Sequence, residues 1–432
     1  MRPGRVIVTY GRSLMSLVIA QSLSRRGVEV IGCDDVDLTV LSFSRYVDDT
    51  FRHASPEDGE DAYIDSLLEN IKRLKPEDER PYILMPVFRN TRIIARHKDK
   101  ISPHITVAAP DWESISKIFP KENLAITAKE SRANAPKSLF TSDPNELKEM
   151  IKGFQPPVMI KPVDGVGGRG IKSFDSLEEA ERAHAAFIKR HGKAPLLQEQ
   201  VEGDDYCFTG LFKDGELLSH MAYRNVKSFP RKTGAGAIRE TVDDGVFVEP
   251  AQRLMRETGW TGVAEIDFLW SGEDSDNPYI IEVNPRFWAG LFHSVKSGVD
   301  FPWRLYELFA TGKVSHVDEA TVGETTKAPG LWLASTAQEI AESDLDFTRL
   351  RKAWDPRKND GFLKRLKKTA GALQGVVDLD DACFRLLDAM DLAKNSSDEF
   401  AEHDDPLAGL GCLFVLSSIA RHGRLPEEVK FS

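Results

Sequence analysis

Two short segments with alternating polar and apolar residues carry the acidic side chains that could do chemistry in this sequence. Residues Gly262–Trp270 and Tyr279–Asn284 alternate with a period of two residues, and the segment between them consists of turn-forming residues. This pattern predicts an antiparallel β-hairpin whose polar side chains share one face. Acidic side chains gathered in this way suit a metal ion.

The register of the hairpin determines which side chains meet. We expect Trp270 to pair with Tyr279 beside the turn, so that the polar cross-strand pairs are Asp267 with Glu282 and Glu265 with Asn284. The apolar side chains on the other face are expected to pack on the core: Ile266, Phe268, Ile281 and Val283. Two carboxylates about 5 Å apart repel by about 3 kcal/mol at an effective dielectric constant of about 20, so the acidic pair needs a proton or a cation.

Mg²⁺ fits this oxygen-only ligand set, because it takes a few carboxylate ligands and leaves other positions to water and substrate phosphates. The alternative is the solvated polar face of an edge hairpin. The residues that follow, Pro285–Gly290, favour a site. Arg286 follows Asn284 closely, and its guanidinium could hold a phosphate or a carboxylate with two hydrogen bonds.

A glycine-rich loop is a second candidate site. The apolar run Val158–Lys161 leads into a loop with glycines at positions 165, 167, 168 and 170, and a second short β-rich run follows. Backbone N–H groups without side-chain bulk can approach phosphate oxygens, and Lys161 supplies a positive charge. The strand–loop–strand order resembles the cover that kinases place over ATP phosphates and lacks the helix of a dinucleotide fingerprint. The loop therefore favours a nucleoside triphosphate, with a glycine-rich surface hairpin as the alternative.

The first 110 residues predict a doubly wound α/β domain. The apolar run Arg5–Tyr10 ends at a glycine, a helical pattern follows, and Val28–Gly32 is a second predicted strand. One face of the predicted helix Asp61–Lys75 is apolar, and Tyr82–Val87 is typical of a strand buried on both sides. Strands dominate from about residue 137 to residue 284, and residues 380–393 and 407–420 carry helical patterns.

The composition excludes several classes of protein. The chain has 432 residues and a net charge of −11, which would repel a nucleic-acid backbone, so we expect no nucleic-acid partner. The longest apolar stretch, Leu407–Ile419, is shorter than the roughly 20 residues that cross a bilayer, and the amino terminus has no secretory pattern. Scattered cysteines without CxxC spacing predict free thiols. We expect a cytoplasmic protein without a membrane partner.

These segments together resemble the ATP-grasp superfamily, with the closest likeness to its carbamoyl-phosphate-synthase-like and amino-acid ligase branches. The resemblance spans about residues 111–290 and follows the order of the segments: Met159–Pro162 with its glycine loop, Leu196–Tyr206, Ala264–Phe268 and Ile280–Gly290. The most specific part is the Glu-x-Asn-Pro-Arg string at 282–286.

The resemblance implies a fold class that combines α/β and α+β parts. Residues 1–110 would be the Rossmann-like α/β domain that precedes an ATP-grasp domain. The ATP-grasp domain would comprise two β-rich subdomains, with the small one at 111–195 and the large one at 196–328. Residues 329–432 would form a mainly helical C-terminal extension of unknown role.

The resemblance also implies roles for nucleotide-binding residues. Lys161 would be a phosphate-binding and catalytic lysine, and Lys121 would reach the α-phosphate. Gly165, Gly167 and Gly168 would cover the phosphates. The hinge residues from Gln198 onward would hold adenine, chiefly through the backbone of Glu199 and Val201, and Asp205 would hold the ribose hydroxyls. Family members often carry Glu where this chain has Gln198 or Asp205.

The same comparison implies the metal ligands and the second catalytic residue. Asp267, Glu282 and Asn284 correspond to the magnesium ligands of the family. Arg286 corresponds to the catalytic arginine that contacts the reacting phosphate or the acyl phosphate.

The implied activity is an ATP-dependent ligase that forms a C–N bond. The γ-phosphoryl of ATP would pass to a small-molecule carboxylate, and an amine or another nucleophile would attack the acyl phosphate, releasing ADP and phosphate. ATP and Mg²⁺ are the implied cofactors, Mn²⁺ is an alternative ion, and a homo-oligomer is left open. Two other functions stay open: a non-catalytic or regulatory ATP-binding protein, and an NAD-dependent oxidoreductase, although no GxGxxG follows Val8.

Overall fold

The computed structural model describes residues 3–162, 170–229, 235–272, 277–316, 318–328, 335–336, 390, 392–399 and 404–422. The chain forms two compact units. The first comprises residues 1–224, 241–323 and 401–432, and the second comprises residues 225–240 and 324–400. The residues of both candidate sites belong to the first unit.

The amino-terminal sheet of the first unit is fully parallel. Its five strands have the order β3-β2-β1-β4-β5, and their bounds are β1 Arg5–Val8, β2 Glu29–Asp34, β3 Asp49–Arg52, β4 Tyr82–Met85 and β5 Thr106–Val107. The central strands are apolar throughout because both faces of the sheet are buried, each in a separate hydrophobic core. The strand order reverses between β1 and β4.

Helices cover both faces of this sheet. The longest are amphipathic or wholly buried, and Ser13 caps the first of them by accepting a hydrogen bond from the Met15 N–H. Their bounds are α1 Leu14–Ser24, α2 Val40–Phe43, α3 Glu60–Arg73, α4 Asn90–Arg96, α5 Lys98–Ile101 and α6 Trp112–Ser116, with a 3₁₀ turn at Pro56–Asp58.

A smaller antiparallel sheet follows, with the order β6-β9-β7-β8. Its strands are β6 Ser138–Leu139, β7 Val158–Lys161, β8 Lys172–Phe174 and β9 Leu196–Glu199. The accompanying helices are α7 Lys121–Glu130, α8 Pro144–Met150 and α9 Leu177–His191, with a 3₁₀ turn at Ile151–Gly153. Ser176 caps α9 and Gly192 ends it at φ 70°.

A larger antiparallel group has the order β14-β13-β10-β11. Its strands are β10 Asp204–Lys213, β11 Glu216–Phe229, β13 Gly262–Trp270 and β14 Tyr279–Asn284. Its helices are α10 Gly245–Thr258, α11 Leu291–Lys296 and α12 Phe301–Thr311. A core that contains the fully buried Trp260 and Phe268 packs α10 and α7 against these strands.

In the second unit, β12 Ala235–Val242 pairs antiparallel with β15 Thr325–Lys327, and β15 pairs parallel with β16 Ser397–Asp398. The predicted helix at 380–393 lies largely outside the described residues. None of the helices in the described ranges is long and apolar enough to cross a bilayer.

The helix predicted at 407–420 is different in the structure. Pro406–Leu413 is a 3₁₀ helix, and only Phe414–His422 is an α-helix, α13. Gly411 accounts for part of this difference, because a Cβ there would lie 2.5 Å from the Val40 Cα. The tight contact between this segment and α2 therefore requires glycine, which is a weak helix former.

Candidate active site

The acidic hairpin forms with the polar register that the sequence predicts. Strands β13 and β14 pair antiparallel, with Asp267 opposite Glu282 and Glu265 opposite Asn284. The predicted Trp270–Tyr279 pair is wrong. A bulge beside Asp267 inserts one residue, so that Tyr279 pairs with Leu269 instead.

The bulge also changes which isoleucine of β14 faces the core: it is Ile280 and not Ile281. Phe268 pairs with Ile280, which is 1% exposed and lies in the core, whereas Ile281 is the extra residue and is only half-buried. The prediction that Ile281 packs on the core is therefore wrong. Its side chain instead lines the cleft described below.

Hydrogen bonds link three polar side chains of the hairpin to Arg286. The Asn284 amide donates to Glu265 Oε2 and to Asp267 Oδ2, both at 3.3 Å, and its Oδ1 accepts from Arg286 Nη2 at 3.0 Å. Arg286 Nη1 lies 3.8 Å from Glu265 Oε2. The Asn284 amide thus has two carboxylates at its nitrogen end and the Arg286 guanidinium at its oxygen end.

The negative charge of this group is not fully balanced. The pKa of Asp267 is raised well above its usual range, first because the surrounding protein removes the carboxyl from water, and then because Glu265 and Glu282 lie nearby, while Arg286 opposes the rise. Cys207, Glu265 and Asp267 bring potential ligand atoms within 4.8 Å of one another. The two carboxylates of this group fit a hard divalent cation, whereas the Cys207 thiol is a soft ligand.

Two lysines approach the hairpin from other elements. Lys121, the first residue of α7, places its Nζ 3.2 Å from Glu282 Oε1. Lys161, the last residue of β7, donates from Nζ to Gln198 Oε1 at 2.5 Å. Burial and the charge of Lys121 lower the pKa of Lys161 to about 8, against the opposing charges of Glu282 and Asp205. The predicted lysines are therefore brought to one place.

A small cleft of about 10 Å³, the space of roughly one water molecule, lies between these lysines and strand β14. Its walls are mostly apolar, and it is lined by Lys121, Leu124, Ala125, Ala135, Pro136, Ser138, Lys161, Leu196, Gln198, Ile280 and Ile281. The Gln198 amide nitrogen donates to Ser138 Oγ at 2.8 Å, and its oxygen accepts from Lys161. Both ends of the amide are therefore hydrogen-bonded. Apolar side chains next to two lysines have the chemical character of a site for a flat heterocycle with an anionic chain, but the walls must move apart to admit one.

The predicted hinge follows this cleft. The Glu199 N–H donates to the Lys137 carbonyl, and the Glu199 carboxylate accepts from the Gln155 N–H at 2.8 Å. Within the described part of the chain, the Val201 N–H donates to no acceptor. Asp205 is exposed at the start of β10. Only Val201 therefore offers an uncommitted backbone donor among the predicted hinge positions.

The glycine loop is described only at its ends. Strands β7 and β8 pair antiparallel, which confirms the predicted strand–loop–strand order. Gly170 has φ +79°, a conformation that favours glycine. The predicted phosphate-covering residues Gly165, Gly167 and Gly168 lie outside the described residues.

Comparison with known proteins identifies this arrangement. The family described as the ATP-grasp domain matches residues 123–290, which include the cleft, the two strands of the hairpin and Arg286. The chain carries an ATP-grasp domain. The match begins inside α7 and ends just before α11.

Curated relatives are similar to parts of the chain that include the ATP-grasp domain. A phosphoribosylamine–glycine ligase of Methanothermobacter thermautotrophicus is 30% identical over 177 residues, covering 34% of this chain and 39% of that protein. The large chain of carbamoyl phosphate synthase from Clostridium acetobutylicum is 24% identical over 240 residues, covering 52% of this chain and 21% of that protein. The chain thus spans well under half the length of these relatives.

Solved structures share the fold. N5-carboxyaminoimidazole synthetase from Staphylococcus aureus, complexed with ADP, superposes with a TM-score of 0.59 at 12% identity, covering 76% of this chain and 82% of that one. Biotin carboxylase from Campylobacter jejuni superposes with a TM-score of 0.58 at 15% identity, covering 74% of each chain. At these identities the similarity establishes the fold.

Sequence reasoning missed two residues beneath the ATP-grasp hairpin. Tyr223 donates to Glu265 Oε1 at 2.9 Å, and the buried Cys207 pairs with Asp267 across β10 and β13. The alternation along β10 and β11 was a usable signal, because it gives each strand two faces. The register between β10 and β13 could not be predicted, because no short turn connects these two strands.

The acidic residue that an NAD-dependent oxidoreductase would use to bind the ribose is already paired with an arginine. Asp34 ends β2, where a dinucleotide-binding fold presents an acidic residue to the ribose. Here the Arg12 N–H donates to Asp34 Oδ2 at 2.9 Å, its Nε donates to Oδ1 at 3.1 Å, and its guanidinium also ion-pairs with Asp35. The Asp34 carboxylate is therefore engaged.

Proposed function

We propose that this protein is an ATP-dependent carboxylate–amine ligase. ATP phosphorylates a small-molecule carboxylate, an amine or another nucleophile attacks the resulting acyl phosphate, and ADP and phosphate leave. The observation that carries the proposal is that Lys121 and Arg286 contact the acidic hairpin, while Lys121 and Lys161 line a narrow cleft beside it. We further propose the domain division at 110, 195 and 328 that the resemblance implies.

The cleft is the proposed adenine site. Its apolar side chains suit a purine ring once the walls move apart, and the free N–H of Val201 can donate to a ring nitrogen. We assign the ribose hydroxyls to Asp205 and the phosphates to Lys121 and Lys161. The electrostatic effect of Asp205 on Lys161 supports this grouping, because it requires the two side chains to lie near each other.

Asp267, Glu282 and Asn284 would hold Mg²⁺, or Mn²⁺ in its place. The two facing carboxylates suit a hard divalent cation, and the Asn284 amide, which turns its nitrogen toward the carboxylates and its Oδ1 toward Arg286, would have to turn over to add an oxygen ligand. When bound, the ion neutralises charge on the phosphates and holds them for in-line transfer. Tyr223 donates to Glu265, and Glu265 accepts from the Asn284 amide. Tyr223 therefore helps to hold Asn284 through Glu265.

Arg286 is the proposed contact to the transferred phosphoryl group. Its Nη2 donates to Asn284 Oδ1 and its Nη1 donates to the Phe287 carbonyl. These two hydrogen bonds fix the guanidinium plane before a substrate binds. Phosphoryl transfer depends mainly on positioning and charge neutralisation, and the acceptor is a carboxylate with no proton to remove. The residues of the site are accordingly lysines, an arginine and carboxylates.

Calorimetric titration with MgATP and a coupled assay of ADP release over amino acids and small carboxylates test the proposal together. We expect MgATP binding and acid-dependent ADP release that Asp267→Ala and Glu282→Ala each reduce by at least about 100-fold. Glu216→Ala is the matched control, because Glu216 is an exposed carboxylate paired with Arg256 at the start of β11. MgATP binding without ADP release on any acid would favour a non-catalytic ATP-binding protein. Activity that survives both substitutions would contradict the metal assignment.

A further inference from the structure

The amino-terminal sheet has a second feature that the proposed ligase chemistry does not use. Its strand order reverses between β1 and β4, and in open parallel sheets such a reversal creates a crevice beyond the carboxyl ends of the two strands, where ligands bind. The segments that leave these ends are residues 9–13 after β1 and residues 86–90 after β4. The crevice is therefore bordered by these two segments.

Each segment presents an aromatic ring in a strained backbone conformation. Tyr10 has φ 60° and Phe88 has φ 56°, a region that costs a non-glycine residue roughly 1–2 kcal/mol. Their rings stack with centroids 5.1 Å apart and an interplanar angle of 25°. Both rings also pack against one of the two hydrophobic cores of the sheet.

Two arginines lie over the Phe88 ring, and a third lies on the adjoining helix α4. The guanidinium carbon of Arg286 lies 5.5 Å from the centre of the Phe88 ring, and that of Arg89 lies 5.4 Å from it. Arg92, one turn along α4, stacks on Phe119 at 4.2 Å. We call Arg89, Arg92 and Arg286 the arginine cluster. Through Arg286 the cluster is continuous with the proposed phosphoryl-transfer site.

The arginine cluster concentrates positive charge. The pKa of Arg92 is lowered, first because the guanidinium is partly buried, and then because the charges of Arg96, Arg286 and Arg89 lie nearby, against the opposing charge of Glu282. Arg96 has its own counterion, since it pairs with Glu60. The lowered pKa therefore reports crowding of like charges inside a partly desolvated space.

Two members of the cluster lack a counterion. Within the described part of the chain, neither Arg89 nor Arg92 forms an ion pair with a carboxylate. Arg286 has only the long contact to Glu265 at 3.8 Å. Like charges held together without an anion are unfavourable, whereas guanidinium groups bind carboxylate and phosphate oxygens in pairs of hydrogen bonds.

We propose that Arg89 and Arg92, beside the Tyr10–Phe88 stack, bind a second anionic group on the substrate whose carboxylate is phosphorylated at Arg286. The substrate is then at least a dianion, and its second group is a carboxylate or a phosphate. This inference rests on the proposed ligase function for the reacting carboxylate. The anion site itself rests only on the cluster and its missing counterions.

A binding experiment tests the site independently of turnover. Inorganic phosphate and malonate are titrated into the full chain saturated with Mg²⁺ and the non-hydrolysable analogue AMP-PNP, which blocks the proposed γ-phosphate site. We expect binding of at least one anion, weakened about tenfold or more by Arg89→Ala and by Arg92→Gln. Arg80→Ala is the control, because Arg80 lies before the opposite end of β4 and pairs with Asp78. The stronger probe identifies the second group as phosphate or carboxylate.

The outcomes separate this inference from the proposed function. No anion binding, or equal binding in all four proteins, overturns the inference. Failure of AMP-PNP to bind contradicts the proposed function, and the same titrations without nucleotide still test the arginines. Thermal unfolding of each variant monitors the fold, and the exposed Arg89 keeps the test valid if Arg92→Gln is unstable.

A turnover experiment then tests the substrate class. ADP release is compared for acid pairs that differ by one anionic group: succinate with butyrate, aspartate with alanine, and O-phosphoserine with serine. We expect release only with the more charged member, and a KM for it that Arg89→Ala raises about 10- to 100-fold with a much smaller effect on kcat. A preference for the singly charged members would overturn the inference.

Discussion

Asp267 lies directly across the hairpin from Glu282, and the bulge that begins at the next residue of β13 turns Ile281 from the core to the cleft. One irregularity therefore serves two purposes. It keeps the two carboxylates opposite each other, and it adds an apolar wall to the proposed adenine site. β-Bulges commonly re-aim a side chain beside an active site.

The two isoleucines of β14 should respond differently to truncation. Ile280→Ala removes a fully buried side chain and is expected to lower the free energy of unfolding by about 2–5 kcal/mol. Ile281→Ala is expected to cost less stability and to weaken MgADP binding by about 5- to 30-fold, because it removes a wall of the cleft. Urea unfolding and calorimetry measure the two effects. Unchanged nucleotide affinity in Ile281→Ala would argue against the cleft as the adenine site.

Lys161 should make nucleotide binding depend on pH. Its pKa is lowered to about 8 in the free protein, so the side chain is charged below that pH and becomes neutral as the pH rises through it. A neutral amine attracts phosphates less, and we expect MgATP affinity to fall by about tenfold between pH 7 and pH 9.

Lys161→Arg is the control for this pH dependence. Arginine stays charged over the whole range, so the fall in affinity between pH 7 and pH 9 should disappear. Persistence of the same fall in this variant would assign it to another group. Calorimetric titration at four or five pH values makes the measurement.

Tyr223 should act through Glu265. Tyr223→Phe removes the hydrogen bond to Glu265 Oε1 and leaves a buried carboxylate without that donor, so we expect metal affinity in the nucleotide complex to fall about 10- to 100-fold. Titration of the ADP complex with Mn²⁺, followed by electron paramagnetic resonance, measures this affinity.

Tyr279→Phe is the matched control for Tyr223→Phe. Tyr279 is half-buried at the start of β14, and its hydroxyl makes no hydrogen bond to any of the residues that the structure describes. If both variants bind Mn²⁺ as the wild type does, the Tyr223 hydroxyl does not position the site.

The sequence predicted the hairpin because alternation and turn chemistry are local signals. Asp267 and Glu282 meet as predicted although the register beside the turn differs by one residue, because the bulge restores the predicted pairing. The bulge could not be predicted, because both isoleucines of β14 are apolar and either one satisfies the pattern. The choice between Ile280 and Ile281 depends on what packs against each face.

The residues beneath and beside the site were not predictable from local patterns. Tyr223 reaches Glu265 across two strand pairings, and Phe88 meets Arg286 from a different sheet. Such contacts join residues separated by 42 and about 200 positions, and nothing in the spacing of either pair reports them. Lys161 could be named from the glycine-rich loop that follows it, whereas Lys121 could be named in advance only through a family resemblance.

The magnesium dependence of ADP affinity tests the central claim most directly. Calorimetry of ADP binding, with and without Mg²⁺, is compared for the wild type and for Glu282→Gln, and the magnesium-free titration corrects for the lost Lys121 ion pair. We predict that Mg²⁺ strengthens ADP binding at least about tenfold in the wild type and has almost no effect in the variant. An equal gain from Mg²⁺ in both proteins would contradict the assignment of the cross-strand carboxylates as the metal site.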